Sequence, residues 1–208
     1  NKKFKRPDKQ INVILLIGDG MGLSQVSAVY YFGDKTPSFS RFSDISLINV
    51  SPIKLKITDS ASGATAFACG EKTYNGAIGV DADTNEIQNI FEILSVQGYK
   101  TGIISTSSVT HATPACYYAH VSKRSMQYEI AEQIVDSDVD FFAGGGESWF
   151  RNRKDGRDLY PALIQNGFIM DQPLKSLTII PEKKYGFLLA KKGMPTMLED
   201  RGDFLSDY

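Results

Sequence analysis

Apolar positions along the chain fall into short runs and helical spacings that alternate. Residues 11–17, Ile-Asn-Val-Ile-Leu-Leu-Ile, are nearly all apolar and rich in branched side chains, the pattern of a strand buried on both faces in a parallel sheet. Gly18-Asp19-Gly20-Met21-Gly22 stops that run in a turn. A helix is expected over 84–97, where Asp83 and Glu86 have capping-box spacing, Ile87, Ile90, Phe91 and Leu94 recur at helical intervals, and Gly98 ends the pattern. A strand at about 101–106 follows. Met126, Ile130 and Ile134 mark a helix behind Ser125, and Val139–Ala143 reads as a strand running into Gly144-Gly145-Gly146. Such alternation means βαβ units with right-handed crossovers. It predicts an α/β fold, a three-layer α/β/α sandwich on a largely parallel sheet, with chemistry at the carboxyl ends of strands.

From residue 151 the pattern loosens. Arg151-Asn152-Arg153-Lys154-Asp155-Gly156-Arg157 is a mixed-charge loop and reads as solvated surface. A helix near 158–166 and strands near 176–180 and 185–190 are expected beyond it.

Composition narrows the partners. The chain has 208 residues, 42% hydrophobic, with 23 Lys plus Arg against 24 Asp plus Glu and a net charge of −1. That balance argues against nucleic-acid binding by bulk charge and against disorder. The longest strongly apolar run, Val13–Ile17, is far shorter than a bilayer span, so no membrane segment is expected. The first residue is Asn1 rather than Met, which fits either a removed leader or a trimmed chain. Cys69 and Cys116 are the two cysteines, too few for a disulfide scaffold and without zinc-motif spacing, so packing is their expected role.

Three places carry candidate chemistry. Asp19 sits in a Gly-rich turn directly after the apolar run. Leu23 occupies the place of the third glycine of a dinucleotide fingerprint, and a carboxylate there suits a cation better than a pyrophosphate. Taken alone, an aspartate in such a turn is most often an Asx-turn residue. Ser60, in Thr58-Asp59-Ser60-Ala61-Ser62-Gly63-Ala64-Thr65, opens a run of small residues, so a helix starting there offers an anion its positive end. Its plainer reading is an N-cap. No Gly-x-Ser-x-Gly elbow surrounds Ser60 and the chain has two histidines, so activation by a metal ion is the better expectation than a His–Asp pair. Finally, Thr110-His111-Ala112-Thr113-Pro114 and His120-Val121-Ser122-Lys123-Arg124 offer a hydroxyl for a metal's shell in Thr113 and a guanidinium able to grip two phosphate oxygens in Arg124. Each of these residues alone reads also as structural.

Together the motifs resemble one family, the alkaline phosphatases. The resemblance rests on residues 13–22, Thr58-Asp59-Ser60-Ala61 with residues 72–81 (Lys-Thr-Tyr-Asn-Gly-Ala-Ile-Gly-Val-Asp), His111-Ala112-Thr113-Pro114 with Ala119-His120-Val121, and Ala143-Gly144-Gly145-Gly146. These blocks stand in the family's order and cover roughly 11–150. The resemblance implies hydrolysis of phosphate monoesters through a phosphoserine, with two Zn2+ ions and one Mg2+. Ser60 looks like the nucleophile and a metal ligand, Asp19 like the carboxylate shared between a zinc and the magnesium, and Thr113 like a magnesium ligand. Arg124 falls at the position that binds phosphate, with Asp59 placed to orient it, and His111 reads as lying behind the metal ligands rather than among them. A periplasmic or secreted location and a homodimer are further implications.

No histidine follows His120, whereas the family's other metal ligands lie in its C-terminal half. The 208 residues are therefore expected to be the N-terminal part of one alkaline-phosphatase-like catalytic domain, inactive by themselves. The rival readings are another metal-dependent phosphatase, sulfatase or phosphomutase, which the Thr58-Asp59-Ser60-Ala61 block disfavours, and a non-catalytic anion-binding module.

Overall fold

A computed structural model describes residues 11–171, 178, 180, 182–199 and 201, in two compact units, Asn1–Leu47 and Ile48–Tyr208. In the first unit, helix α1 (Leu23–Phe32) follows the Gly18–Gly22 turn, in which the Met21 N–H donates to Gly18 O at 3.0 Å. Gly22 caps α1, its N–H held by Gln25 Oε1 at 3.1 Å. The strand expected over 11–17 is not formed. Val13 is 83% and Ile14 84% exposed, and none of residues 11–47 is buried. An apolar, branched run signals a need for cover, and this unit contains neither a strand to pair with it nor a layer to lie on it among its described residues.

The second unit carries the sheet. Helix α2 (Ser60–Cys69) and helix α3 (Ile90–Ser95) precede strand β1 (Gly102–Ser108), the single-turn helix α4 (Ala112–Ala115) and helix α5 (Gln127–Gln133). Strand β2 (Phe141–Gly145), α6 (Glu147–Phe150), α7 (Tyr160–Gln165), β3 (Phe168–Met170) and β4 (Lys184–Ala190) follow. The four strands are all parallel, in the order β1-β2-β4-β3, with Ile103 opposite Phe142 and Ala143 opposite Phe187. The fold is thus α/β on a parallel sheet, as the alternation of patterns requires. Phe142, Phe150, Leu163, Ile130 and Ile134 fill its core without exposure. No helix of the described residues is long and apolar enough to cross a membrane.

Three expectations are corrected in detail. The helix expected from 84 begins at Ile90, because Asp81 takes the N–H groups of Asp83 and Asn85, each at 2.8 Å, and holds 81–85 as a turn. The capping box occurs six residues later with the same spacing: Asn89 Oδ1 accepts from Phe91 and Glu92, and Glu92 Oε2 accepts from the Asn89 N–H at 2.7 Å. The 151–157 loop is not simply solvated. The Arg153 side chain is 1% exposed, paired with Glu132 at 2.6 Å and Asp155 at 2.5 Å, and lies over the Tyr128 ring. Its planar fork satisfies two carboxylates and two backbone carbonyls at once, which a lysine does not. The strand near 176–180 falls mainly outside the described residues, while Phe168–Met170 supplies β3 instead.

The Gly144-Gly145-Gly146 block ends β2 where chains crowd. A Cβ on Gly145 would stand 1.9 Å from Lys192 O, and one on Gly146, whose φ is +108°, 2.2 Å from Ser108 Oγ. Glycine is required there by close approach.

Candidate functional site

Helix α2 starts at Ser60 because Asp59 precedes it in extended conformation and caps it: Asp59 Oδ1 accepts from the Ser62 N–H at 3.0 Å. Its buried face is a stripe of small residues, Ala61, Ser62, Ala64, Thr65 and Ala68. Small side chains let α2 pack closely on α4, where Cys116 Sγ lies 3.5 Å from Ala61 O and 3.3 Å from Thr65 Oγ1. The segment bearing His111 and Thr113 is thereby seated against the helix that begins at Ser60. Burial pushes both thiols, Cys69 and Cys116, up to about 12. They are inert packing groups, as their spacing suggested.

The carboxylate of Asp59 is the centre of the site. Its second oxygen accepts from Arg124 Nη1 at 3.2 Å, and Arg124 Nη2 lies 3.0 Å from His111 Nε2. A guanidinium only donates, so His111 Nε2 is the acceptor. Burial works to raise the Asp59 carboxyl, but the N–H groups of Ser62 and Gly76, the Arg124 guanidinium and the Ser62 hydroxyl outweigh it and hold it below its ordinary value. It is therefore a fixed anion facing a fixed cation. The pair is half-exposed, 33% for the arginine side chain and 26% for the aspartate, and two of the five guanidinium N–H donors are engaged. The other three have no partner among the described residues.

Strand β1 anchors the other side. Just past its end, Ser108 Oγ meets Thr110 Oγ1 at 2.6 Å, Thr110 Oγ1 bonds Gln127 Oε1, and Gln127 Nε2 donates to Arg124 O at 3.0 Å. The Arg124 backbone is thus tied to the carboxyl end of a sheet strand, the position expected for chemistry. His111 caps α4, accepting the Ala115 N–H at 3.0 Å, and Thr113 lies half-buried within that turn.

Of the residues singled out in the sequence, the structure joins Asp59, Arg124 and His111 in one chain of contacts and places Ser60 beside Asp59 at the helix start. Asp19 belongs to the first unit, in its exposed turn. His120 is structural: its ring nitrogens face Gly79 O at 2.7 Å and Glu92 Oε1 at 3.0 Å. Sequence reasoning assigned no role to Ser62, Asn75, Gly76 and Gln127. Asn-Gly is a turn signal, and it is the one feature of these that the sequence could have offered.

As to metals, Asp19, Ser60 and Thr113 are oxygen donors of the kind a hard or borderline cation accepts. Among the described residues, however, no three His, Cys, Asp or Glu side chains gather so as to hold a metal ion. The described residues do not amount to a zinc shell, which takes about three protein ligands even when open.

A model of the alkaline phosphatase family matches residues 10–179. "Alkaline phosphatase 3" of Bacillus subtilis is 34% identical over 220 residues, covering 99% of this chain and 47% of that protein. "Repressible alkaline phosphatase" of Saccharomyces cerevisiae is 35% identical over 185 residues, covering 77% and 33%. Among solved structures, alkaline phosphatase from the Antarctic bacterium TAB5 superposes with a TM-score of 0.86 at 49% identity, over 91% of this chain and 56% of that one. A histidine-to-aspartate mutant of that enzyme, 48% identical to this chain, has Mg bound in its M3 site. The chain spans about half the length of the Bacillus and TAB5 proteins and a third of the Saccharomyces one. With a family match over most of its length and a parallel α/β fold shared with a solved phosphatase, the chain belongs to the alkaline phosphatase family.

Proposed function

We propose that these residues form the nucleophile-bearing, phosphate-gripping part of a phosphate monoesterase that works through a phosphoserine at Ser60. The observation that carries this reading is the Asp59–Arg124 pair, which holds a guanidinium on the aspartate immediately preceding Ser60, the first residue of a ten-residue helix. Arg124 supplies N–H donors to two phosphoryl oxygens, and the positive end of α2 favours the same dianion. Asp59 draws off part of the arginine's charge and sets its orientation. In the first step Ser60 gives its hydroxyl proton to solvent and its Oγ bonds to phosphorus as the ester P–O bond breaks, and the leaving oxygen takes a proton from water. In the second, water cleaves the phosphoserine, releasing inorganic phosphate and restoring the hydroxyl. Such transfer asks positioning and charge neutralisation of the protein more than covalent chemistry.

Two zinc ions and one magnesium belong to the proposal, with Asp19, Ser60 and Thr113 among their ligands. The described residues supply too few donors to build those sites, so the roles derived above are those of the chain's own groups alone. The substrate class is the phosphate monoester as such, since Arg124 and α2 address the phosphoryl group and leave the rest of the ester uncontacted.

The test is substitution at neighbouring serines in metal-loaded, turnover-competent protein. Ser60→Ala is expected to abolish at least about 99.9% of monoester hydrolysis, in line with removal of a covalent nucleophile. Ser62→Ala is expected to cost far less. Equal losses at the two positions would overturn the assignment.

A further inference from the structure

A half-exposed ion pair such as Asp59–Arg124 is weak by itself, yet the site requires it to hold one geometry. The two partners are 65 positions apart, on segments with no strand pairing between them. What joins them is the turn at Asn75–Gly76.

On the Ser60 side, Asn75 Oδ1 accepts from the Asp59 N–H at 3.1 Å and from Ser62 Oγ at 2.8 Å, while Asn75 Nδ2 donates to Ile57 O at 3.0 Å. An N–H and a C=O on the same loop fix the amide in one orientation. The Ser62 hydroxyl, with one proton to give, lies 2.8 Å from Asn75 Oδ1, 2.9 Å from Thr58 Oγ1 and 3.1 Å from Asp59 Oδ1. The Ser62 side is buried, with 3% exposure, so this bonding is shielded from water. On the Arg124 side, Gly76 O accepts the Arg124 N–H at 2.7 Å, Tyr74 Oη donates to Ser122 O at 3.0 Å, and Ile78 and Val121 exchange both backbone bonds. The Gly76 N–H also helps to hold the Asp59 carboxyl below its ordinary value. Gly76 has a φ of +93°, open to glycine and strained for other residues, with nothing within 4 Å of a built Cβ.

We propose that Asn75, with Gly76, is a positioning residue of the phosphate site: it clamps residues 57–62 to the Arg124 segment and so sets where the guanidinium stands relative to Ser60. The proposal rests on the phosphatase reading above. It assigns Asn75 no contact with substrate. Its effect on catalysis passes through Asp59 and Arg124, which gives it a signature that a merely structural asparagine lacks.

The experiment is a double-mutant cycle in the turnover-competent protein, combining Asn75→Ala with Arg124→Ala and reading kcat/KM for a phosphate monoester and inhibition by inorganic phosphate. Asn75→Ala alone is expected to lower kcat/KM about tenfold or more and to weaken phosphate inhibition, as small misplacements of binding groups do. In the Arg124→Ala background the same change is expected to cost less than about threefold, because the group it positions is gone. Should Asn75→Ala fail to fold, Ser62→Ala, which removes one of the clamp's bonds, is expected to show the same non-additivity on a smaller scale. Additive losses in the two backgrounds, with turnover still dependent on Ser60, would overturn the proposal alone. Wild-type protein with no Ser60-dependent turnover would overturn the phosphatase reading, and the positioning role with it.

Discussion

Of the arginines bonded to carboxylates among the described residues, Arg124 and Arg153 are assigned opposite tasks by their surroundings. Arg124 has one ion pair at 3.2 Å, in which both side chains are about a third exposed, and one contact to His111. Exposed or half-exposed pairs contribute about 0.2–1 kcal/mol, so Arg124→Ala is expected to lower stability by about 1 kcal/mol or less. Against a bound phosphoryl group the same guanidinium offers two charge-assisted bonds of about 1.5 kcal/mol each at the low end. Their sum, about 3 kcal/mol, corresponds to a loss of about 100-fold in kcat/KM. Arg153 is the reverse case. With a side chain 1% exposed, two carboxylate partners and two backbone carbonyls, its removal takes the guanidinium from Asp155 and from the Tyr128 and Trp149 carbonyls, while Glu132 keeps Arg157 at 2.6 Å. Breaking such a pair costs about 3–5 kcal/mol when fully buried, and the one-third exposure of Glu132 and Asp155 brings the expectation down to about 2–3 kcal/mol. The assay is the two alanine variants side by side, by urea denaturation and by monoester kinetics with inorganic phosphate as inhibitor. Arg124→Ala is expected to lose activity and phosphate affinity with little change in midpoint, and Arg153→Ala to lose stability with kinetics in the surviving folded protein little changed. An Arg124→Ala variant that unfolds while its folded fraction keeps its phosphate affinity would refute the reasoning.

Two further outcomes follow from the same structure. Hydrogen bonds from Arg153 hold the Asp155 carboxyl at about 2, below the ordinary 3.8; because the folded state binds this proton less readily than the unfolded, its contribution to stability is complete above about pH 4 and is lost as pH falls towards 2, so Asp155→Asn is expected to flatten the acid limb of a stability-against-pH curve between those limits, and an unchanged limb would contradict the pairing. The 208-residue chain, purified alone with added Zn2+ and Mg2+, is expected to bind zinc weakly and to hydrolyse monoesters no faster than background, since no three metal-ligating side chains gather among its described residues; multiple turnovers abolished by Ser60→Ala would show that donor count to be wrong.

The sheet was legible because parallel strands and their crossover helices carry a local signal. Val139–Ala143 read as a strand two residues early, and Phe141–Gly145 was found, since apolar runs mark burial better than they mark ends. Residues 11–17 show the limit of that signal. Their side chains ask for cover on both faces, but a strand exists only where a neighbour supplies hydrogen bonds, and pattern alone does not say which neighbour is present. The helix start at Ile90 was missed for a local reason: Asp81 takes the N–H groups of Asp83 and Asn85 into a turn, and Asn89, beyond that turn, caps the helix through Phe91 and Glu92. Arg153 was read as surface because charge runs usually are, and only the three-dimensional meeting of Glu132, Asp155 and Tyr128 reveals a buried fork.

In the candidate site, the residues with chemistry were readable and those that hold them were not. Asp59 and Arg124 were named together through a family resemblance, and their contact at 3.2 Å is what the structure adds. Asn75, Ser62 and Gln127 are neutral side chains whose importance lies in which backbone groups they reach across the fold. No periodicity or spacing encodes that. Asn75-Gly76 was read only as part of the family block at 72–81, and the structure makes it the junction between the serine and arginine segments.

The most direct test of the phosphoserine assignment is to trap the phosphoenzyme. Turnover-competent protein is incubated with a phosphate monoester, quenched in acid during steady state, digested, and mapped by mass spectrometry across the peptide spanning Thr58 to Thr65, with Ser62 as the internal comparison. Phosphate on Ser60 alone, absent in Ser60→Ala, is the expected result. Phosphate on Ser62, or turnover with no phosphopeptide from this helix under conditions that preserve phosphoserine, would contradict the assignment of Ser60 as nucleophile.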